Sequence, residues 1–216
     1  MGGREEPFDG FLIRGKFTDN STEADWKCTI DAKVISLVQF VNPATKEFEY
    51  RQDSKPKSLN KMFASNTGIE RIDVMQGIEK VSDLWQAFNN STSLVSLNMS
   101  QRETMIMTPT GFHSVIAGAQ KLRYLALNVD LSNVSEYFRW FFYNNALTDL
   151  KGKMSNIKVS VDASQTALSA ESAQVLIDGL STEVSGKSIS FASVTRNALS
   201  EEQKQMILDK GWQSNF

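Results

Sequence analysis

Ser58 to Val74 reads SLNKMFASNTGIERIDV, and the same pattern is written three more times: SDLWQAFNNSTSLVSLNM from Ser82 to Met99, TGFHSVIAGAQKLRYLAL from Thr110 to Leu127, and SEYFRWFFYNNALTDLKG from Ser135 to Gly152. A large apolar residue opens each copy (Leu59, Leu84, Phe112, Tyr137) and another follows four later (Phe63, Phe88, Ile116, Phe141). Aliphatics then recur at Ile69, Leu94, Leu122 and Leu147, at Ile72, Leu97, Leu125 and Leu150, and at Val74, Met99 and Leu127, where the fourth copy has Gly152. Leu59 to Leu84 is 25 residues, Leu84 to Phe112 is 28 and Phe112 to Tyr137 is 25, and the next three columns keep those intervals. Four columns in phase make chance self-similarity a poor explanation.

Two periods lie inside each copy. A step of four between large apolar groups is one turn of helix, whereas the closing alternation I-x-V, L-x-M or L-x-L is a strand with one buried face. The sequence therefore predicts a short helix followed by a short strand in each copy. A unit of this size cannot bury its apolar side alone, so the copies are expected to stack into an α/β solenoid with one continuous core.

Outside the copies, residues 1–57 are expected to form a β region and linker. Phe11, Ile13 and Phe17 suggest one strand, and Trp26, Cys28 and Ile30 a second. Val34 to Val41, the break Asn42-Pro43, and Phe48 to Tyr50 suggest a hairpin. Its segment ISLVQFV is the one suited to adding to another sheet if its edge is free. This region either attaches the chain to something else or merely caps the first copy.

Residues 58–152 hold the four copies, with the insertion SQRETMIMTP placed after the second strand. Residues 153–216 read as a C-terminal α/β capping unit. Ile157, Val159 and Val161 give a strand; LSAESAQVLIDGL gives a helix N-capped by Ser169, with Val175, Leu176 and Leu180 on its apolar side; SISFASV gives a strand through Ile189 and Phe191. LSEEQKQMILDKGW closes with a capping box of Ser200 and Gln203, inward Met206 and Ile207, and Gly211 at C′. A more polar last unit is what the end of a stack requires.

The copies resemble the BspA-like, Treponema-type leucine-rich repeat, whose units carry M-x-x-M-F followed by L-x-x-L-x-L. LNKMFASNTGIERIDV and LWQAFNNSTSLVSLNM are similar to it, and VDLSNVSEYFRWFFYNNALTDL looks like the same unit with aromatics in place of Met. The resemblance runs from about Ser58 to Trp212, and departs at Ile116, where the family usually has Phe, and at Gly152. It implies a leucine-rich-repeat solenoid of the kind found in structural proteins of bacteriophages and in surface proteins of gut bacteria. Bacteriophage virion structural or attachment protein (tail, fibre or capsid-associated) is the expected role, and a bacterial cell-surface or secreted adhesin the alternative. The expected partners are other virion proteins or a host surface protein or glycan, with a homo-oligomer among the arrangements.

Composition narrows the classes further. Net charge is −2, from 23 basic and 25 acidic side chains without a long like-charged block, which argues against nucleic acid as the main partner. One cysteine, Cys28, precludes an internal disulfide, and one histidine, His113, precludes most His-rich metal sites. The opening residues carry acids and no uninterrupted apolar run, so no signal peptide is read, and no window approaches 18 consecutive apolar residues. A soluble protein without a readable export address is the expectation, with no membrane partner.

The search for chemistry returns little. G-x-S-x-G, H-E-x-x-H and paired Cys motifs are absent. GLSTEVSGKS (Gly179 to Ser188) approaches a phosphate loop but has Ser181 where a glycine is needed; Asp162, Ser164 and Thr166 resemble a D-x-S-x-T metal site but sit where turns and caps use such residues. With no second histidine or cysteine in the repeats to complete a ligand set, His113 reads as a packing or surface residue and not as a catalytic base. No catalytic residue, cofactor or metal is therefore expected, and the protein is read as non-enzymatic. If the strands form the concave sheet, Arg71, Asp73, Ser96, Asn98, Tyr124, Ala126, Asp149 and Lys151 point outward and make a candidate interaction face suited to protein or glycan. In the aromatic run, Tyr137, Trp140 and Phe141 can be core, which pushes Phe138, Phe142 and Tyr143 outward, either to a subunit interface or against the C-terminal unit.

Overall fold

A computed structural model of the 216-residue chain describes residues 10–14, 34–35, 37–41, 57–78, 80–100, 102–135, 143 and 146–216. The protein is α/β, and among the described residues every strand pairing is parallel. The main sheet runs β2 (Val34–Ile35), β4 (Arg71–Ile72), β6 (Ser96–Met99), β8 (Tyr124–Asp130), with β9 (Asp149–Ser155) on the far side of β8 and β7 (Met105–Ile106) beside the end of β8. A second sheet orders β1 (Gly10–Arg14), β3 (Leu37–Val41) and β5 (Met75–Gln76); a third orders β10 (Val161–Ala163), β11 (Ser188–Phe191) and β12 (Gln213–Ser214).

Sheet register follows the Ile72 column in all four copies, while the last column pairs only from Met99 through Leu127 to Gly152, since β4 ends at Ile72 and Val74 is half-buried. Ile72 pairs with Leu97, Leu97 with Leu125 and Leu125 with Leu150, and all four are buried. Ile69, Leu94, Leu122 and Leu147 are buried as well, and the neighbouring backbone links them in order, Val95 N–H donating to Glu70 O, Arg123 N–H to Val95 O and Thr148 N–H to Arg123 O. A row of aliphatics fixed at one register leaves no alternative pairing, because a one-residue slip would turn every one of them outward.

The helical half of the first three copies is different from the expectation. In the first three copies the residues after the opening apolar group are turns, not α-helix; in the fourth they lie outside the described residues. Lys61, Gln86 and Ser114, at the third place of their copies, have φ of 54°, 54° and 54°, and Ser65, Asn90 and Gly118, at the seventh, have φ of 58°, 55° and 74°. A left-handed residue every fourth position cannot belong to a right-handed helix. The backbone N–H groups then alternate. Met62, Ala64 and Asn66 donate three residues back, to Leu59, Lys61 and Phe63, whereas Leu59, Lys61, Phe63 and Ser65 donate across to Asp83, Trp85, Ala87 and Asn89 of the next copy at 2.7–3.0 Å. Leu84, Gln86, Phe88 and Asn90 repeat this onto Gly111, His113, Val115 and Ala117. The step of four is thus the period of a turn ladder that puts Leu59 and Phe63 on one inward side, and it binds copy to copy as the sheet does. Ser91, buried, adds its hydroxyl to Phe63 O at 2.7 Å.

The inserted residues leave the sheet only briefly. Met99 pairs with Leu127 and Met105 with Val129, so six steps of one chain face two of the other, and 100–104 form the excursion. Met105 and Met107 return to the core, leaving Ile106 exposed.

N-terminal expectations divide. β1 contains Phe11 and Ile13; Phe17 and the strand expected at Trp26, Cys28 and Ile30 lie outside the described residues. The expectation of a free edge is corrected, because β3 has parallel partners on both sides, β1 and β5; the other arm of the expected hairpin, residues 48–50, lies outside the described residues. Val34 to Gln39 instead runs beside Arg71 to Gln76 at one constant offset, Val34 to Arg71 and Gln39 to Gln76.

Beyond Gly152, β9 continues to Ser155 across the expected 152/153 boundary. The strand expected over Ile157 to Val161 is shifted, with Ile157 making an isolated bridge to Leu180 and β10 covering Val161–Ala163. α1 (Ala170–Gly179) starts as read, Ser169 Oγ accepting from Ser172 N–H, but it buries Ala173, Leu176 and Ile177 and leaves Val175 half-buried. β11 ends at Phe191 because residues 193–198 form a short helix, α2 (Ser193–Ala198), whose Thr195 hydroxyl donates to Leu168 O. α3 (Glu201–Asp209) has the full capping box of Ser200 and Gln203, and Gly211 follows it with φ of 77°.

One stabilising contact in this unit had no counterpart in the sequence reading. Lys210 Nζ donates to Ile177 O, Asp178 O and Leu180 O at 2.8–2.9 Å, meeting the carbonyls that end α1 with a charge of the favourable sign. Burial pulls its pKa below the usual lysine value, with the Asp178 carboxylate opposing. Lys210→Met keeps the apolar stem and removes all three donors, so urea denaturation is expected to register a loss of about 1.5–3 kcal/mol; an unchanged midpoint would mean that the cap is ornamental.

Candidate functional site

Four strands, one from each copy, present the candidate face. Register puts Arg71, Ser96, Tyr124 and Asp149 in one cross-strand row, and Asn98, Ala126 and Lys151 in the next. Parallel strands lie about 4.8 Å apart, so these side chains stand as a closely spaced file. Between the buried rows of Ile72, Leu97, Leu125 and Leu150 and of Met99 and Leu127, alternation forces these residues to the other side of the sheet.

Tyr124 is longer than both of its register neighbours, Ser96 and Asp149. Ala126, expected outward, is 3% exposed and so is withdrawn from the face; flanked in register by the longer Asn98 and Lys151, its methyl group is covered. The charges are matched locally. The Arg71 guanidinium contacts Asp73 through Nε at 2.6 Å and Nη2 at 3.1 Å, and Lys151 Nζ reaches Glu171 at the start of α1 at 2.6 Å. That hydrogen bond from Lys151 to the Glu171 carboxylate raises the lysine pKa. Asn98 Oδ1 accepts from both the N–H and the hydroxyl of Ser100, and Asp149 accepts from the Thr148 hydroxyl at 3.0 Å. The face is a polar surface with paired charges and an aromatic ring, an arrangement fit for recognition by hydrogen bonds and ring contact.

At the far end of β8, Asp130 gathers donors. Partial burial raises its pKa, but the N–H and hydroxyl of Ser132, the Asn156 amide at 2.7 Å and the charge of Lys153 outweigh this and hold the carboxyl below its ordinary value of 3.8. A carboxyl depressed on folding contributes stability that is present above its unfolded pKa and lost as pH falls through the lower folded pKa. Carbon-detected titration of Asp130 is expected to give a midpoint below 3.8; one at or above it would contradict the network.

The aromatic candidates fall elsewhere. Tyr143 is half-buried and lines a cavity on the turn ladder, not the strand face; Phe138 and Phe142, with Tyr137, Trp140 and Phe141, lie outside the described residues. His113 takes part in the same ladder, its Nδ1 accepting from the Trp85 indole N–H at 3.1 Å. Asp162 Oδ1 accepts from Ser164 N–H and hydroxyl, so that motif holds its own turn. Ser181 is buried, its hydroxyl accepting from Glu183 N–H and its carbonyl from the Trp212 indole at 2.8 Å. Among the described residues no group of three or more His, Cys, Asp or Glu could hold a metal ion, and no helix is long and apolar enough to cross a membrane.

Compared with protein-family models, with curated proteins and with solved structures, the chain matches none of them.

Proposed function

We propose that the chain is a leucine-rich-repeat solenoid of the BspA-like kind, serving without catalysis as a structural or attachment protein of a bacteriophage particle, on its tail, fibre or capsid. The observation that carries a recognition role is the row Arg71, Ser96, Tyr124 and Asp149, in which each of four successive copies contributes one outward polar or aromatic residue at the same register. A face assembled by repetition presents an extended shape, as stacked repeats do in binding proteins generally. Leu59–Phe63, which reads L-x-x-M-F, and Leu122–Leu127, which reads L-x-x-L-x-L, are similar to that family's elements and support it, and through it the particle setting. Host surface protein or glycan, or a neighbouring virion subunit, is the partner proposed; nucleic acid, membrane and cofactor are not.

Mass spectrometry of purified particles tests the setting, and Tyr124→Ala tests the face. The chain is expected among the particle proteins, and the variant is expected to weaken binding of the isolated chain to host cells or to its virion neighbours by about tenfold or more, as loss of a central aromatic anchor does. A chain absent from particles and recovered from the bacterial surface would replace this reading with that of an adhesin.

A further inference from the structure

The cavity on the turn ladder has a volume of about 380 Å³, within the range of about 300–1,000 Å³ usual for small-molecule sites. Three consecutive copies wall it, with Asn89 and Asn90 from the second, His113 and Gln120 from the third and Tyr143 from the fourth. It opens here because the ladder side chains shorten: Lys61 and Gln86 give way to Ser114 at the third place, and Ser65 and Asn90 to Gly118 at the seventh. Gly118 has φ of 74°, a left-handed backbone that favours glycine, and a Cβ there would displace the Asn90 side-chain amide.

The chemistry of the lining selects a ligand. Among the eight described residues that line it, none is Asp, Glu, Lys or Arg. A phosphate, a carboxylate or an amine would therefore meet no counter-charge among them. Neutral donors and acceptors are what remain. The side-chain amides of Asn89, Asn90 and Gln120 each carry both an acceptor and donors, the pairing that adjacent hydroxyl groups require. Tyr143 adds a ring on which the C–H face of a sugar can lie. His113 is held in place: because its Nδ1 accepts from the Trp85 indole, the ring proton sits on Nε2, and Trp85 is in turn covered by the Lys61 ammonium, 4.7 Å from the ring centre.

We propose that this cavity binds a neutral saccharide unit. The inference does not depend on the strand face or on the particle setting. The full chain is screened on an array of neutral and acidic oligosaccharides, and the best binder is titrated calorimetrically, with the free oligosaccharide and the whole polysaccharide as separate arms. A neutral sugar is expected to bind in the millimolar range or tighter. Gln120→Ala, at an exposed position that leaves packing intact, and Tyr143→Ala should each weaken it by about tenfold, while Gln205→Ala, which removes an exposed amide of α3, leaves it unchanged. Thermal unfolding of each variant checks that the fold is kept. No binding of neutral sugars at millimolar concentration, a preference for acidic ones, or affinity that neither cavity variant alters would overturn the proposal. A chain that is absent from particles yet binds the sugar through Gln120 and Tyr143 would leave it standing.

Discussion

Phe88→Ala is expected to lower the stability of the chain by about 3–5 kcal/mol, the range for emptying a buried aromatic site. Phe88 is 1% exposed and its ring stacks on that of Phe63 with centroids 4.9 Å apart and planes 6° from parallel. The pair belongs to two successive copies, so the cavity left by truncation would open between them, not within one. The backbone on both sides resists collapse into it, because Phe63 N–H is tied to Ala87 O and Phe88 N–H to Val115 O, each at 2.8 Å. Urea denaturation measures the loss. In a double-mutant cycle with Phe63→Ala, the coupling should come out at about 0.5–1.5 kcal/mol, as for other aromatic pairs. A loss below about 1 kcal/mol, typical of a surface change, would mean that the copies do not lean on each other through these rings.

Gly152→Val carries the second large effect. The position has φ of 92°, where a β-branched residue is strained, and a Cβ would overlap the carbonyl oxygen of Leu127 on the neighbouring strand and press on Asn128 Oδ1. That same Oδ1 accepts from Lys153 N–H at 2.9 Å, so the side chain cannot withdraw without breaking the bond. Strain and overlap together are expected to cost about 3–4 kcal/mol. Gly186→Ala is the control: its φ is 66° but a Cβ there meets nothing within 4 Å, so only the backbone term of about 1 kcal/mol should appear. Equal losses at the two sites, read as shifts in denaturation midpoint, would show that the close approach to β8 contributes nothing.

Gly152 also marks where the sequence could be read and where it could not. As a gap in an aliphatic column it looked like a departure; its reason, a backbone passing too close to β8 for any side chain, depends on a neighbour 25 residues away. The register of Ile72, Leu97, Leu125 and Leu150 was legible because the alternation of a strand and a fixed interval both survive in one dimension. The helices expected at Leu59, Leu84 and Phe112 were misread because a period of four arises from a repeated left-handed turn as well as from a helix. The correcting signal was present in the runs ASNTG, NNSTS and AGAQK that follow the apolar pair, rich in small and amide residues that suit turns and left-handed backbone. Arg71, Ser96, Asn98, Tyr124, Asp149 and Lys151 were legible by alternation; Asp73 lies past the end of β4, and the burial of Ala126 depends on which longer side chains flank it across the sheet. The ladder cavity had no such signal, for it is a space between three copies and belongs to no single stretch. Lys210 likewise meets carbonyls some 30 residues earlier in the chain.

Methyl-to-methyl nuclear Overhauser contacts in a chain labelled at Ile and Leu test the stacking on which everything else rests. Adjacent parallel strands about 4.8 Å apart should give contacts from Ile72 to Leu97, Leu97 to Leu125 and Leu125 to Leu150, and none from Ile72 to Leu150, about 14 Å away across three strand spacings. Contacts missing between those neighbours, or present between the two ends of the row, would contradict the stack.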